Sequence, residues 1–214
     1  MQKSSRAYLY AIAALSLVVL CLFYALARED RAGMLTVSFL DVGQGDAIFI
    51  DSPGGRQLLI DGGRGSLVVK ELAGVMPWYD RSIDVVIATH PDADHIGGLL
   101  DVLPRYAIDT IVRSSEEGDT SISSALEKKS EEEKGVVHIA TRGDVIDLGK
   151  GAYVEILAPD RAVPKIETNT GSIVARLVYG DTAFLLTGDA PQSIEDYLVQ
   201  LDGKSVVAAA ALEF

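Results

Sequence analysis

Two imidazoles and two carboxylates fall within His90-Pro91-Asp92-Ala93-Asp94-His95, directly after the apolar run Ile83 to Ala88. That run reads as a buried strand, and it ends where the polar groups begin. Ile96 to Leu103 reads as a helix. The segment therefore predicts a strand-to-helix turn that aims all four side chains at one point beyond a sheet. Imidazole and carboxylate suit zinc, manganese or iron, and the amides of a first helical turn also favour acidic groups. A polar turn with Asp94 as a helix N-cap accounts for any one of these residues. It does not account for four, because carboxylates this close repel one another unless a cation lies among them.

The rest of the chain reads as strands with helices between them. Met34 to Leu40 alternates as a strand, and Asp41-Val42-Gly43-Gln44-Gly45-Asp46 is a tight turn into the strand Ala47 to Ile50. Glycines there suit either a close backbone approach or a plain hairpin. Ser52 to Gly55 turns the chain into Gln57 to Ile60, and Asp61-Gly62-Gly63 turns it again before a helix over Ser66 to Val75. Beyond the polar segment come a strand over Ile108 to Arg113, a charged and exposed helix over Ser121 to Lys134, and a strand over Val136 to Ala140. His138 in that strand reads as a structural histidine. Asp144 to Leu148 and Ala152 to Leu157 read as a hairpin pair. A polar turn, Glu167 to Ser172, feeds Ile173 to Tyr179; Ala183 to Leu186 follows, and then a helix over Pro191 to Leu201. Asp189, in Thr187-Gly188-Asp189, stands where His90 stands, just past a buried strand and before a helix. It reads as a third contributor to the metal site or as an N-cap. Strands, inserted helices and strands again suit an α/β sandwich with its helices outside.

Ala7 to Ala27 carries no charged side chain and is long enough to cross a bilayer as one helix. Lys3 and Arg6 precede it and Arg28 and Arg31 follow. The free amino terminus tips this balance toward a cytoplasmic N-terminus, 1–6, an anchor over 7–27, a linker over 28–33 and a domain over 34–214 outside the membrane. A cleaved signal ending at Ala25-Leu26-Ala27 is the competitor, although its apolar region exceeds the usual length. The net charge of -12 argues against a broad basic surface for nucleic acid. It does not exclude a nucleic-acid substrate, since metal ions bring positive charge to the reacting point. Cys21 is the only cysteine, so there is neither an internal disulfide nor a thiolate metal site.

His90 to Gly98, with Asp41 to Asp46 upstream and Thr187-Gly188-Asp189 downstream, resembles the metallo-β-lactamase superfamily. Phe39 to Asp46, Asp61-Gly62-Gly63 and Asn169 to Ser172 are similar to its ComEC-type branch, the extracellular hydrolase domain of competence proteins. The resemblance covers about Met34 to Leu201. It implies an α/β fold, an αβ/βα four-layer sandwich preceded by one transmembrane helix, with two divalent ions, zinc or manganese, at the edge between its halves. By position, His90 and Asp92 would bind one ion, Asp94 and His95 the other, and Asp189 would bridge. Aspartate at 92, where histidine is commoner, shifts preference toward manganese. The superfamily usually carries a further His-His-Gly-Ser turn, and here no histidine follows His138. The second site is then incomplete, or the chain is a fragment, or its last residues are not native.

The activity implied is that of a metal-dependent phosphodiesterase acting on DNA outside the membrane. Asp94 or Asp92 would accept a proton, and a rim of Asp41, Gly43, Gln44, Gly45, Asp46, Asn169 and Ser172 would position a phosphate. A membrane DNA channel is the partner expected. The competing readings are a metallo-hydrolase of a lactam, lactone, thioester or nucleotide, and a non-catalytic, membrane-tethered relative.

Overall fold

A strand covered on both faces has to be apolar at successive positions, and β4 (Ser82–Ala88) meets that condition. Val85 and Ile87 enter one apolar layer and Val86 and Ala88 another. This computed structural model describes residues 2–29, 33–115, 118, 120–132, 135–160 and 168–202. Ser205 to Ala210, whose sequence also reads as a strand, lies outside them. The chain divides into two compact units, Met1–Met34 and Leu35–Phe214.

In the larger unit, β1 (Thr36–Phe39), β2 (Ile48–Asp51), β3 (Gln57–Ile60), β4, β5 (Ala107–Arg113) and β6 (Val136–Ile139) form one sheet in chain order. β1 to β3 pair antiparallel and β3 to β6 parallel. β7 (Val145–Gly149), β8 (Ala152–Ala158), β9 (Val174–Tyr179) and β10 (Thr182–Leu186) form a second, antiparallel sheet. Leu58, Ile60 and Ile87 of the first sheet pack against Val154, Ile156 and Leu177 of the second. The opposite face of the first sheet takes α2 (Leu67–Val75), α3 (Ala93–Ile96), α4 (Leu99–Val102) and α5 (Ser121–Glu132), through Val68, Leu72, Ile96, Leu99 and Leu126. Leu198 of α6 (Gln192–Asp202) covers the second sheet's outer face beside Leu157 and Val174. The layers are helix, sheet, sheet, helix, the expected four-layer sandwich.

Two expectations change. The single helix expected over Ile96 to Leu103 is two short ones, starting earlier at Ala93. Its ladder is interrupted because the loop after β3 takes the bonds: the Gly62 amide donates to the His95 carbonyl (2.7 Å), and the Gly98 amide to the Gly63 carbonyl (2.8 Å). A Cβ at Gly98 would lie 2.0 Å from the Gly62 oxygen, so this crossing admits only glycine. α5 is not wholly exposed either. Leu126 and Ser130 are buried, and Lys129 Nζ donates to the Leu100 carbonyl at 3.2 Å.

The smaller unit is one helix, α1 (Gln2–Glu29), whose described side chains, Tyr8 to Tyr24, are exposed. Among the described residues no helix is long and apolar enough to cross a membrane. The expected anchor over 7–27 lies within α1 and is not supported as a membrane span.

Candidate metal centre

β3 and β4 are parallel neighbours, so their ends lie side by side, and each delivers a polar residue there. Asp61 follows β3 with φ 56, a left-handed conformation that aspartate tolerates better than most residues. The turn puts its carboxylate over the end of β4. Oδ1 accepts the Thr89 amide at 2.8 Å, and Oδ2 accepts the Thr89 hydroxyl at 2.6 Å. Oδ2 also lies 2.9 Å from His95 Nδ1. Asp61 is 1% exposed, so these three contacts replace its water.

The pattern fixes both histidine tautomers. The single hydroxyl proton of Thr89 goes to Asp61, so the hydroxyl oxygen, 3.0 Å from His90 Nδ1, accepts from that nitrogen. His90 Nε2 then carries a bare lone pair. It is buried with no hydrogen-bond partner, 3.7 Å from Asp92 Oδ2. His95 gives its Nδ1 proton to Asp61 and turns Nε2 toward Asp189 Oδ1, at 3.4 Å. The two rings are 4.1 Å apart. Each imidazole thus has one nitrogen held from behind and the other presented forward, as metal-ligating histidines do. The donor set fits a divalent ion.

Burial, then the neighbouring His95, lowers the His90 pKa and keeps the ring neutral. Burial also lowers His95, but the hydrogen bond and charge of Asp61, with Asp189 and Asp46, outweigh it and push the group up to about 9. Metal-free protein therefore binds this proton more tightly when folded. The stability gained, about 3 kcal/mol, is complete below the ordinary value of 6.5 and is lost as pH rises through about 9. Urea midpoints of metal-free protein should fall across that window, and metal affinity should rise because the ion displaces the proton. A flat midpoint would contradict this.

Asp189 arrives on the turn after β10. Gly188, at φ +51, would bring a Cβ within 3.2 Å of the Thr89 side chain, so glycine lets that turn close on the site. Asp46 arrives from the turn between β1 and β2, its carbonyl accepting the Gly63 amide at 2.8 Å. Burial raises its carboxyl; His95 opposes the rise, and Asp61 and Asp189 add to it. Two groups result, Asp61 with His90 and His95, and Asp46 with His95 and Asp189. Within each, one ligand atom per residue lies within 4.8 Å of the others.

Of the residues singled out in the sequence, the structure brings together His90, Asp92, His95 and Asp189. Asp94 belongs to neither group: Gln44 Nε2 donates to its Oδ2 at 3.1 Å, and Arg64 Nη1 donates to Gln44 Oε1 at 3.1 Å. Asp94 is not the N-cap of α3. Asp92 holds that position, and its side chain makes no capping bond. On the rim, Asp41, Gly43 and Gln44 are exposed. Gly45, at φ +89, abuts the Asp94 carbonyl so closely that a Cβ would clash with it. Asn169 sits on the 3-10 turn Thr168–Gly171 and accepts the Ser172 amide at 3.1 Å. Ile173 then donates its amide to the Thr89 carbonyl at 2.9 Å, tying this loop to the site. His138 lies away from the centre, with Nε2 2.8 Å from Asp144 Oδ2. Sequence reasoning missed Asp61 and Thr89 as site residues and placed Asp46 only on the rim. The signal was available for Asp61, an acid between a strand and two glycines.

Residues 40–212 match the family model described as "Metallo-beta-lactamase superfamily". The chain is 27% identical over 191 residues to ComE operon protein 3 of Bacillus subtilis (strain 168), covering 77% of this chain and 23% of that protein. It is 27% identical over 195 residues to Recombination protein 2 of Haemophilus influenzae, covering 88% of this chain and 22% of that one. Both are ComEC-like proteins, and the chain spans under a quarter of their length. Among solved structures, Rm3 metallo-beta-lactamase superposes with a TM-score of 0.51 at 14% identity, covering 78% of this chain and 71% of that one. That likeness is one of fold.

Proposed function

Because the chain belongs to the metallo-β-lactamase superfamily of metal-dependent hydrolases, we propose that it is a phosphodiesterase acting on DNA outside the membrane. The observation that carries the reading is the bare, buried Nε2 of His90 beside the His95 and Asp189 pair, in a chain similar to ComE operon protein 3 and Recombination protein 2. Two divalent ions, zinc or manganese, supply an activated water and stabilise the departing oxygen when bound.

The chain's own residues orient, exclude water and move protons. Asp61 and Thr89 hold the two imidazoles from behind, and His90, Asp92, His95 and Asp189 present ligand atoms. Asp94, whose carboxylate is bonded to Gln44, stays outside this ligand set and is kept as a carboxylate near the reacting point. Asp92 or Asp94 takes the proton of the attacking water at a carboxylate oxygen. Gly43 to Gly45 and Asn169 to Gly171 position the phosphate, while Ser172, expected on this rim, is buried beneath it at 1% exposure. A cavity of about 380 Å³ opens beside Asp46, lined in part by Phe39 and Phe184, and suits the portion of substrate flanking the reacting bond. With a net charge of -12, affinity for long DNA is weak, and the attraction comes from the ions or from a membrane DNA channel.

The membrane belongs to the same proposal. Ala7 to Ala27 carries no charged side chain, and large apolar side chains on this helix, such as Leu9, Leu15 and Leu20, are exposed. A lipid surround accommodates them at less cost than water. The amino terminus then stays cytoplasmic and the domain lies outside.

The test is hydrolysis by the full chain in detergent of a simple phosphodiester, single-stranded and duplex DNA, and a β-lactam, with manganese, with zinc and with a chelator. Phosphodiester and DNA cleavage that the chelator abolishes and manganese restores is the expected result. Lactam cleavage without phosphodiester cleavage would overturn the substrate assignment.

A further inference from the structure

The rim residue Asp46 stands with the metal-capable groups and not with the loop around it. One of its carboxylate oxygens lies within 4.8 Å of a ligand atom of His95 and of Asp189. His95 Nδ1 is occupied by Asp61, so the nitrogen left to face Asp46 and Asp189 is Nε2. Asp46 and Asp189 are exposed and His95 is buried, but the backbone that carries Asp46 is fixed. The Asp46 carbonyl accepts the amide of Gly63, in the same turn that carries Asp61. The neighbouring Ala47 is buried, and Gly45 is pressed against the Asp94 backbone at a positive φ.

A bland explanation exists, since an acid beside a protonated histidine needs no ion. The second observation comes from the other half of the cluster. His90, 1% exposed, holds Nε2 bare and without a protein partner, in a ring 4.1 Å from that of His95. A buried lone pair of this kind costs on the order of 1–3 kcal/mol unless something accepts it, and no acid–histidine contact of Asp46 relieves it. The half of the cluster next to the Asp46 group therefore presents a cation ligand of its own.

We propose that the Asp46 carboxylate is a direct ligand, with His95 Nε2 and Asp189, of the second divalent ion. The inference rests on the metal-dependent reading above. It also assigns a preference: two carboxylates and one imidazole form an oxygen-rich set, which favours a hard ion such as manganese over zinc. Asp46 contributes charge and coordination from the first turn of the domain, before any residue of the strand-to-helix segment.

The experiment is equilibrium dialysis of the full chain against manganese and against zinc, with elemental analysis, for the unaltered protein, Asp46→Asn and Asp46→His. Two manganese ions per unaltered chain are expected. Asp46→Asn should retain one and bind the other at least about tenfold more weakly, no less than the loss typical of an outer-shell partner, with the metal-free protein still folded and melting cooperatively. Asp46→His should recover the second ion with preference moved to zinc. Two ions bound by Asp46→Asn at unaltered affinity would overturn the inference and leave the metal-dependent reading standing. A lowered metal-free melting temperature with both ions lost would overturn it in favour of a structural role. An unaltered chain that binds no ion would overturn the inference and the broader reading together.

Discussion

Asp61→Ala should destabilise the domain by about 3–5 kcal/mol, the range for breaking a buried charged pair by removing one partner. The Asp61 carboxylate accepts the Thr89 amide, the Thr89 hydroxyl and His95 Nδ1, and all three donors are buried with it. Each stranded donor costs about 1–3 kcal/mol, and the three are not additive because they share one carboxylate. Alanine at φ 56 adds roughly 1 kcal/mol of backbone strain. Against a typical stability of about 5–15 kcal/mol this is a large fraction. Asp61→Asn keeps the shape and one acceptor oxygen, so it should cost less. Urea denaturation of metal-free protein measures both. An Asp61→Ala midpoint close to that of the unaltered protein would show that the β3 and β4 ends are held by something else.

His90→Ala should show the reverse pattern, a modest loss of fold and a large loss of chemistry. The imidazole gives only its Nδ1 contact with Thr89 to the metal-free fold, and its Nε2 has no partner there. Removing it relieves one orphaned atom while it opens a cavity. With metal present, the ion's contribution disappears. A ligand at about 100 times its dissociation constant stabilises a fold by about 2.7 kcal/mol, and His90→Ala should forfeit most of that. Losing an ion worth about 4 kcal/mol to the transition state lowers hydrolysis on the order of 10³-fold. Melting with and without manganese, beside phosphodiester turnover, separates the two effects. Retained metal-dependent stabilisation in His90→Ala would place the ion elsewhere.

Much of this site is local and was legible in the chain. The apolar run before His90, the helix beyond it and the similar placement of Asp189 after β10 are readable because one strand end carries each feature. Asp61 was harder to recognise because its role depends on the parallel pairing of β3 with β4, a tertiary fact. Asp46 reads as rim in the sequence because nothing in the turn between β1 and β2 says that its end lies against His95. The break after Ile96 escaped periodicity because it is made by amide and carbonyl groups that Gly62 and Gly63 divert from the helix. Asp94 shows a limit of the family pattern, since position alone assigns it to an ion while its carboxylate bonds to Gln44.

The central claim is that His90, Asp92, His95 and Asp189 are ligands of divalent cations, and the most direct measurement is the metal content of the full chain after equilibration with manganese or zinc and removal of free ion. Bound metal that survives gel filtration and is lost in His90→Ala is the predicted result. A folded chain that retains no metal under either condition would contradict the claim and leave the bare nitrogen of His90 without a role.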